Sequence, residues 1–586
     1  MKGKIGIRPL NDGRDSVRYK TEGKAFSMAK AVKKLIESNV FYSDGTPVQC
    51  LIPDTTITCA AEAVRVDEKF AAEGVTATIS VTPIFCFGTE TIDMNPHTLK
   101  AVWGFNGTER PGAVYLACAM SAYAERGLPA FSIYGKDVKD LNDDSIPEDV
   151  EEKILLFARA ATAVAQMKNG SYIAIGNVSM GIPGSMLDPM LLQQYLGMRA
   201  EWMDMSEINR RIQKKIYAEE EYQKAMTWVR ENITEGEEVY NPPDLRHSRE
   251  QLDTDWEYSV KMAVILKDIF QGNPKLREKG YYEESLGKGA ICGGFQGQRQ
   301  WTDYMPNADF AESIINSSFD WNGKREPYII ATENDTLNGL TMLFQKLLTN
   351  QASAFADVRT YWSPEAVKRV TGKTLTGRAK NGFIHLNNSG SAALDAAGEM
   401  VENGKAEMKP WWKVTEKDIR ATLDKVIYYP ANLEYFKGGG FSSHFVTRRE
   451  MPVTMMRLNR VNKLGPVLQI VEGYTVDLPA EITDVIEKRT DRAWPSTFFV
   501  PNLIDKGGCK DVYSVMAGWG ANHSCFTYGH IGDRAITLAS MLRIPVSLHN
   551  VPAERIFRPH VWSSYGDQGS QSADFMACRD FGPLYK

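Results

Sequence analysis

The sequence predicts an α/β protein: two doubly wound α/β amino-terminal domains followed by a β-rich carboxy-terminal domain. Three observations carry that reading. At 586 residues the chain is too long for a single hydrophobic core. As far as residue 350, short apolar runs alternate with helix-period segments, the pattern of a parallel sheet with crossover helices. Beyond it, strand-like runs follow one another with few long helices between them. The expected divisions are residues 1–168, 169–350 and 351–586.

In the first domain Ile5-Gly-Ile7 reads as a strand running into the loop Arg8-Pro-Leu-Asn-Asp-Gly13, which puts Arg8 at a strand end. Val48–Pro53, Thr76–Thr82 and Ala130–Tyr134 read as further strands, and a loop with Phe85 leaves the Thr76–Thr82 run. Ser145-Ile-Pro-Glu-Asp-Val150 opens a helix, with Ser145 as cap and proline in the first turn. The second domain begins after the polar break Lys168-Asn-Gly-Ser171, with Tyr172–Gly176 as its first strand. The glycine-rich run that follows lacks the Gly-x-Gly-x-x-Gly spacing, which argues against a dinucleotide loop. Residues 206–232 form a charged, solvated helix, and Ser248–Gln271 a helix burying Trp256, Val260, Val264 and Ile269. In the third domain Ile384–Leu386, Val446–Arg448, Val453–Asn459 and Leu464–Gly473 read as strands.

Composition narrows the function classes. Apolar content of 43% and charged content of 24% are those of an ordinary soluble protein. A net charge of −5 with no basic tail argues against a nucleic-acid partner. The amino terminus is basic but has no apolar core of a signal peptide, and no stretch of membrane-spanning length is free of charge. Eight cysteines without a Cys-x-x-Cys pair read as reduced thiols, so a cytoplasmic location is expected, with neither membrane nor nucleic acid as partner.

Two acids sit where a buried apolar run meets polar residues. Glu333 ends the run in Tyr328-Ile-Ile-Ala-Thr-Glu-Asn-Asp335, and Asp357 follows small apolar residues in Ala352-Ser-Ala-Phe-Ala-Asp-Val-Arg359. Strand ends are where α/β proteins place their chemistry. Two carboxylates and one imidazole make an open site for a hard divalent ion such as Mg²⁺ or Mn²⁺, and His523 in Gly518-Trp-Gly-Ala-Asn-His523 is the candidate imidazole. Taken singly, either acid reads equally well as a helix cap or a surface charge.

These segments resemble the metal-binding segments of the L-fucose isomerase family, in the runs Ala-Thr-Glu333-Asn-Asp, Phe-Ala-Asp357-Val-Arg-Thr-Tyr-Trp-Ser-Pro-Glu and Trp-Gly-Ala-Asn-His523. Lys4–Pro9, Trp103–Ala113, Gly294–Arg299 and Gly582–Lys586 are similar to other stretches of that family, so the likeness spans essentially the whole chain. It implies Mn²⁺ held by Glu333, Asp357 and His523, with Mg²⁺ or Co²⁺ as substitutes. It implies interconversion of L-fucose with L-fuculose and of D-arabinose with D-ribulose, in a homo-hexamer with active sites at subunit interfaces. Sugar contacts are implied for Arg8, Phe85, Ser179, Gln296, Tyr435, Trp494 and Asn522. The family carries tryptophan where this chain has Phe85, which keeps an apolar ring but loses the indole N–H. Read without the family, Arg8 pairs with a neighbouring acid, Phe85 packs in a core, Ser179 shapes a turn, Gln296 lies in a polar loop, and the aromatics are packing residues.

The reaction implied is an aldose–ketose isomerisation through an enediol, in which a carboxylate moves a proton between C2 and C1 while a cation stabilises charge on the sugar oxygens. Glu333 and Asp357 are the expected catalytic pair. Two rival classes use similar groups. A metal-dependent sugar-acid dehydratase yields 2-keto acids, and a sugar-binding protein needs neither metal nor turnover.

Overall fold

The computed structural model describes residues 2–238, 240–504, 507–564 and 571–586. The first domain is built on a five-stranded, all-parallel sheet in the spatial order Cys50–Leu51, Lys4–Pro9, Val75–Thr82, Leu99–Gly104, Ala130–Tyr134. The Val75–Thr82 strand alternates β-branched and small residues and is buried along nearly its whole length, as a strand covered by helices on both faces must be. The second domain has four parallel strands in the order Ile330–Thr332, Ala290–Phe295, Ser171–Ile175, Arg199–Met203. Its first and third strands are neighbours, so the crevice of a doubly wound sheet opens at the carboxyl ends of Ser171–Ile175 and Ala290–Phe295.

In the carboxy-terminal domain six antiparallel strands close into a barrel. Their order is Pro452–Val461, His523–Tyr528, Ala354–Trp362, Phe383–Asn387, Ser496–Pro501 and Gly465–Thr475, and the last pairs back with the first. Closure leaves no open edge among these six. Val546–His549 joins outside the ring, parallel to Gly465–Thr475.

Several local expectations are corrected. Val446–Arg448 is not a strand; Val446 makes a single bridge to Ser496. The charged segment 206–232 is two helices, Ser206–Lys214 and Glu219–Asn232, broken where Lys215 turns left-handed with φ 54°. Ser145 does not cap the helix Glu148–Met167; its hydroxyl donates to Asp143 at 2.6 Å, and Pro147 takes the cap position. Asp357 lies within the strand Ala354–Trp362 instead of beyond its end.

One helix joins the second domain to the barrel. Thr336–Thr349 starts just after the strand Ile330–Thr332 and is buried on nearly every face. Its Asn338 Nδ2 donates to the Ser524 carbonyl at 2.8 Å, and its Gln345 Nε2 to the Thr454 carbonyl at 3.1 Å. These bonds fix the end of a parallel strand against the wall of the barrel.

Candidate active site

At that junction the three predicted ligands meet. Asp357 and His523 are directly opposed partners on adjacent antiparallel strands, which brings their side chains to one face of the barrel wall. Glu333 arrives from the second domain. His523 Nε2 stands 3.3 Å from Glu333 Oε2 and 3.3 Å from Asp357 Oδ1. The backbone that delivers Glu333 is held in an uncommon form, with Glu333 and Asn334 consecutively left-handed at φ 57° and 48°. Neighbours fix that turn: Asn334 N–H donates to the Phe295 carbonyl at 2.8 Å, Asn334 Nδ2 to the Asn177 carbonyl at 3.1 Å, and Ser185 Oγ to the Glu333 carbonyl at 2.9 Å. Gly294 lets the turn sit so low, since a Cβ there would lie 2.7 Å from the Asn334 Cα.

Two residues that sequence reasoning left unassigned complete the cluster. Asp335 Oδ2 accepts from His523 Nδ1 at 2.6 Å and from Arg457 Nη1 at 2.7 Å, while its other oxygen caps the following helix at Asn338 N–H, 3.0 Å away. With Nδ1 committed to Asp335, the imidazole turns Nε2 toward the two carboxylates, the arrangement by which an outer carboxylate orients a histidine ligand. The signals were present. Asp335-Thr-Leu-Asn338 is a helix-cap pattern, and Arg457 is a cation amid the buried apolar residues of the strand Pro452–Val461.

Electrostatics follow from this geometry. Burial raises Asp357 to about 6, against the lowering effect of His523. Asp357 is surrounded by protein, yet 38% of its side-chain surface stays open against 12% for Glu333, so it lines a cleft. Burial by itself would lower His523, but hydrogen bonds to Asp335 and Glu333 and the charges of Asp335 and Asp357 raise it to about 10. Burial also opposes charge on Asp335, and the Arg457 charge with the His523 bond overcomes it, holding the group far below the usual carboxylate range. Three carboxylates thus face one buried guanidinium and one imidazole, a pocket that calls for further positive charge.

Among the described residues no three acid, histidine or cysteine side chains already surround a common point as a finished ion cage. In this cluster His523 Nε2 itself occupies the middle, in contact with both carboxylates. Oxygen and nitrogen ligands at about 2.1 Å on adjacent corners of an octahedron stand about 3 Å apart. The 3.3 Å spacings are a few tenths of an ångström from that, and the donor set of two carboxylates and one oriented imidazole fits a hard divalent ion.

The remaining predicted residues separate into groups. Gln296 leaves the strand Ala290–Phe295 at the crevice, and its Oε1 accepts from Asn177 N–H at 2.6 Å. Ser179 is fully buried and donates to the Gln298 carbonyl at 2.6 Å, so its hydroxyl shapes the loop. Asn522 Nδ2 lies 2.9 Å from His523 Nε2. Tyr435 and Trp494 pack together with ring centres 5.7 Å apart, Tyr435 half exposed and Trp494 buried. Arg8 does not reach the cluster. It is wholly buried in the first domain, with Nη2 on Asp67 at 2.9 Å and Nη1 on the Thr91 carbonyl at 2.8 Å, so within this chain it is an ion-pair residue. Phe85 is not core packing; it is exposed on the same domain, near the still more exposed Phe87.

A cavity of about 740 Å³ lies beside the cluster and not over it. Arg457, Asn459, Gln469 and Asn522 line it; Glu333, Asp357 and His523 do not.

Comparison with known proteins agrees along the chain. Residues 2–169 match the family model described as L-fucose isomerase, first N-terminal domain, residues 170–350 the second N-terminal domain, and residues 386–550 the C-terminal domain. The chain belongs to the L-fucose isomerase family. It is 58% identical over 586 residues to an L-fucose isomerase of Bacteroides fragilis strain YCH46, covering 100% of this chain and 99% of that protein. An L-fucose isomerase of Streptococcus pneumoniae serotype 4 is 54% identical over 584 residues, with the same coverage. Within the family match, the strand bearing Asp357 lies between the second and third matched segments, although it is an integral stave of the barrel. No described helix is long and apolar enough to cross a membrane.

Proposed function

We propose that this chain is a cytoplasmic aldose–ketose isomerase that interconverts L-fucose with L-fuculose and D-arabinose with D-ribulose, using Mn²⁺ held by Glu333, Asp357 and His523. Mg²⁺ or Co²⁺ are the expected substitutes. The observation that carries this reading is the meeting of those three side chains from two domains, with His523 Nε2 at 3.3 Å from each acid. The names of the relatives support the choice of sugar.

Glu333, Asp357 and His523 would hold the ion, which when bound would supply Lewis-acid stabilisation to charge developing on the sugar oxygens. Asp335 and Arg457 keep His523 turned so that Nε2 serves as a ligand. Asp357 is the more open carboxylate and is suited to carry a proton between C2 and C1, a transfer that needs the base within about 3 Å of the carbon-bound hydrogen's path. Glu333, on its fixed turn, is the second carboxylate of the pair. Gln296 and Asn522 offer amides to hydroxyls, and Tyr435 with Trp494 offers an apolar face to the C–H side of the sugar.

A homo-hexamer with sites completed by neighbouring subunits is part of the same reading. Phe85 and Phe87, exposed on the first domain and unused by their own chain's cluster, support it. All eight cysteines being free thiols supports a reducing compartment.

The test is ketose formation from L-fucose, D-arabinose and L-arabinose, each with Mn²⁺ and with EDTA. L-Fucose and D-arabinose should turn over only with metal. Glu333→Gln and Asp357→Asn should each lower turnover by about 10²- to 10⁴-fold; full activity in both would overturn the mechanism.

A further inference from the structure

Arg359 occupies a place in the barrel wall that ordinary strand pairing would not give it. Asp357 pairs with Asn387 and Val358 with Leu386, but the next paired residue is Thr360, opposite His385. Arg359 is therefore the extra residue of a β-bulge two positions from the candidate proton carrier. Bulges re-aim a side chain, and they recur beside active sites. Its guanidinium is exposed, and among the described residues it makes no hydrogen bond or ion pair. Five N–H donors thus stand free on the strand that carries Asp357.

Its charge is felt by Asp357, by Asp491 and by the buried His385. Asp491 accepts from Asn432 Nδ2 at 2.8 Å and from Ala493 N–H at 2.8 Å, and so braces the corner where Tyr435 meets Trp494. In that corner the Trp494 indole N–H is buried with no acceptor among the described residues, so a hydroxyl brought there would find a donor.

We infer that Arg359 is a substrate-binding residue, hydrogen-bonding sugar hydroxyls beyond the C1–C2 centre and so setting which sugars the site accepts. This rests on the isomerase reading above. The chemistry at C1 and C2 is common to all aldoses, whereas the distal hydroxyls distinguish them. A planar fork that donates to two neighbouring oxygens reads their relative configuration, which a lysine ammonium does less well.

The experiment uses the full chain loaded with Mn²⁺, with L-fucitol, the unreactive reduced polyol, as the binding probe in calorimetry, alongside steady-state kinetics on L-fucose. Arg359→Met should weaken L-fucitol binding and raise KM by about ten- to a hundredfold, leave kcat within about threefold and Mn²⁺ affinity within about twofold, and Arg359→Lys should recover part of the loss. Unchanged L-fucitol affinity and KM in the Met variant would overturn the inference, as would a fall in kcat with KM intact, which would mean that Arg359 acts only on Asp357. Wild-type chain that forms no ketose from any of the three sugars would remove the isomerase reading and this inference together; active wild type matched by the variant removes this inference alone.

Discussion

Replacing Asp335 with asparagine separates two jobs that one side chain performs. Its Oδ2 holds both His523 Nδ1 and Arg457 Nη1, all of them buried. Asparagine keeps the shape and still caps the helix at Asn338, so the helix start should survive. Arg457, however, is left buried without its counter-charge, and breaking a buried pair by removing one partner costs about 3–5 kcal/mol. The imidazole also loses the acceptor that fixes Nε2 as the ligand nitrogen, and loss of such an outer partner weakens metal binding by about 10- to 100-fold. The double variant Asp335→Asn/Arg457→Met distinguishes the two effects. Removing the orphaned cation should restore most of the lost stability, while Mn²⁺ affinity stays low. The assays are calorimetric Mn²⁺ titration of the apo chain and the midpoint of its first urea transition, because a chain of several domains does not unfold in one step. Wild-type Mn²⁺ affinity in Asp335→Asn would refute the orienting role, and a double variant no more stable than the single would refute the ion-pair argument.

Other perturbations test the same physics elsewhere. Burial, then the Asp484 charge, raises Glu487 to about 7, and one of its oxygens has no hydrogen-bond partner among the described residues. A carboxyl whose folded pKa is raised favours folding below its unfolded value and loses that contribution as pH rises through the folded value. Glu487→Gln should therefore stabilise the chain at pH 8 by up to about 3 kcal/mol and have little effect near pH 4.5, read as urea midpoints across pH. Gly184→Ala would press a methyl into Asp335 and Arg457, so it should cost about 1–3 kcal/mol and weaken Mn²⁺ binding. Gly23→Ala, in the exposed face of the helix Asp15–Asn39 with nothing within 4 Å, should instead stabilise by about 0.5–1 kcal/mol. Glu312→Gln should shift the urea midpoint by less than about 1 kcal/mol equivalent, since burial disfavours charge on its carboxyl and an amide oxygen can still accept from Thr332.

Periodicity made the three-part architecture legible, because parallel strands buried on both faces leave apolar runs that composition alone reveals. Barrel closure was not legible. It depends on Pro452–Val461 pairing with both Gly465–Thr475 and His523–Tyr528, and pairing partners leave no mark on a single strand. Glu333, Asp357 and His523 were nominated by residue type and likeness, yet their meeting depends on a helix start and a strand register. Asp335 showed only its capping pattern, because a cap and an orienting acid look identical until the imidazole arrives from almost two hundred residues away. Arg8 was legible as a cation at a strand end, and only the fold supplies the Asp67 carboxylate and Thr91 carbonyl that it meets within the chain.

The acids beneath the cluster explain how so much carboxylate is tolerated in one place. Asp309 and Glu312 are as deeply buried as Asp335, but their partners are hydroxyls: Ser442 Oγ donates to Asp309 at 2.6 Å and Thr332 Oγ1 to Glu312 at 2.7 Å. With no cation beside them, burial pushes both well above the usual range, and the nearby Glu333 charge adds to the shift. Burial thus opposes charge on Asp309 and Glu312, whereas Arg457 and His523 hold charge on Asp335. Thr332 and its hydroxyl contact with Ser391 tie these hydroxyl-bonded acids to the residue just before Glu333, so the hydroxyl shell runs directly into the left-handed turn that carries the site's carboxylate.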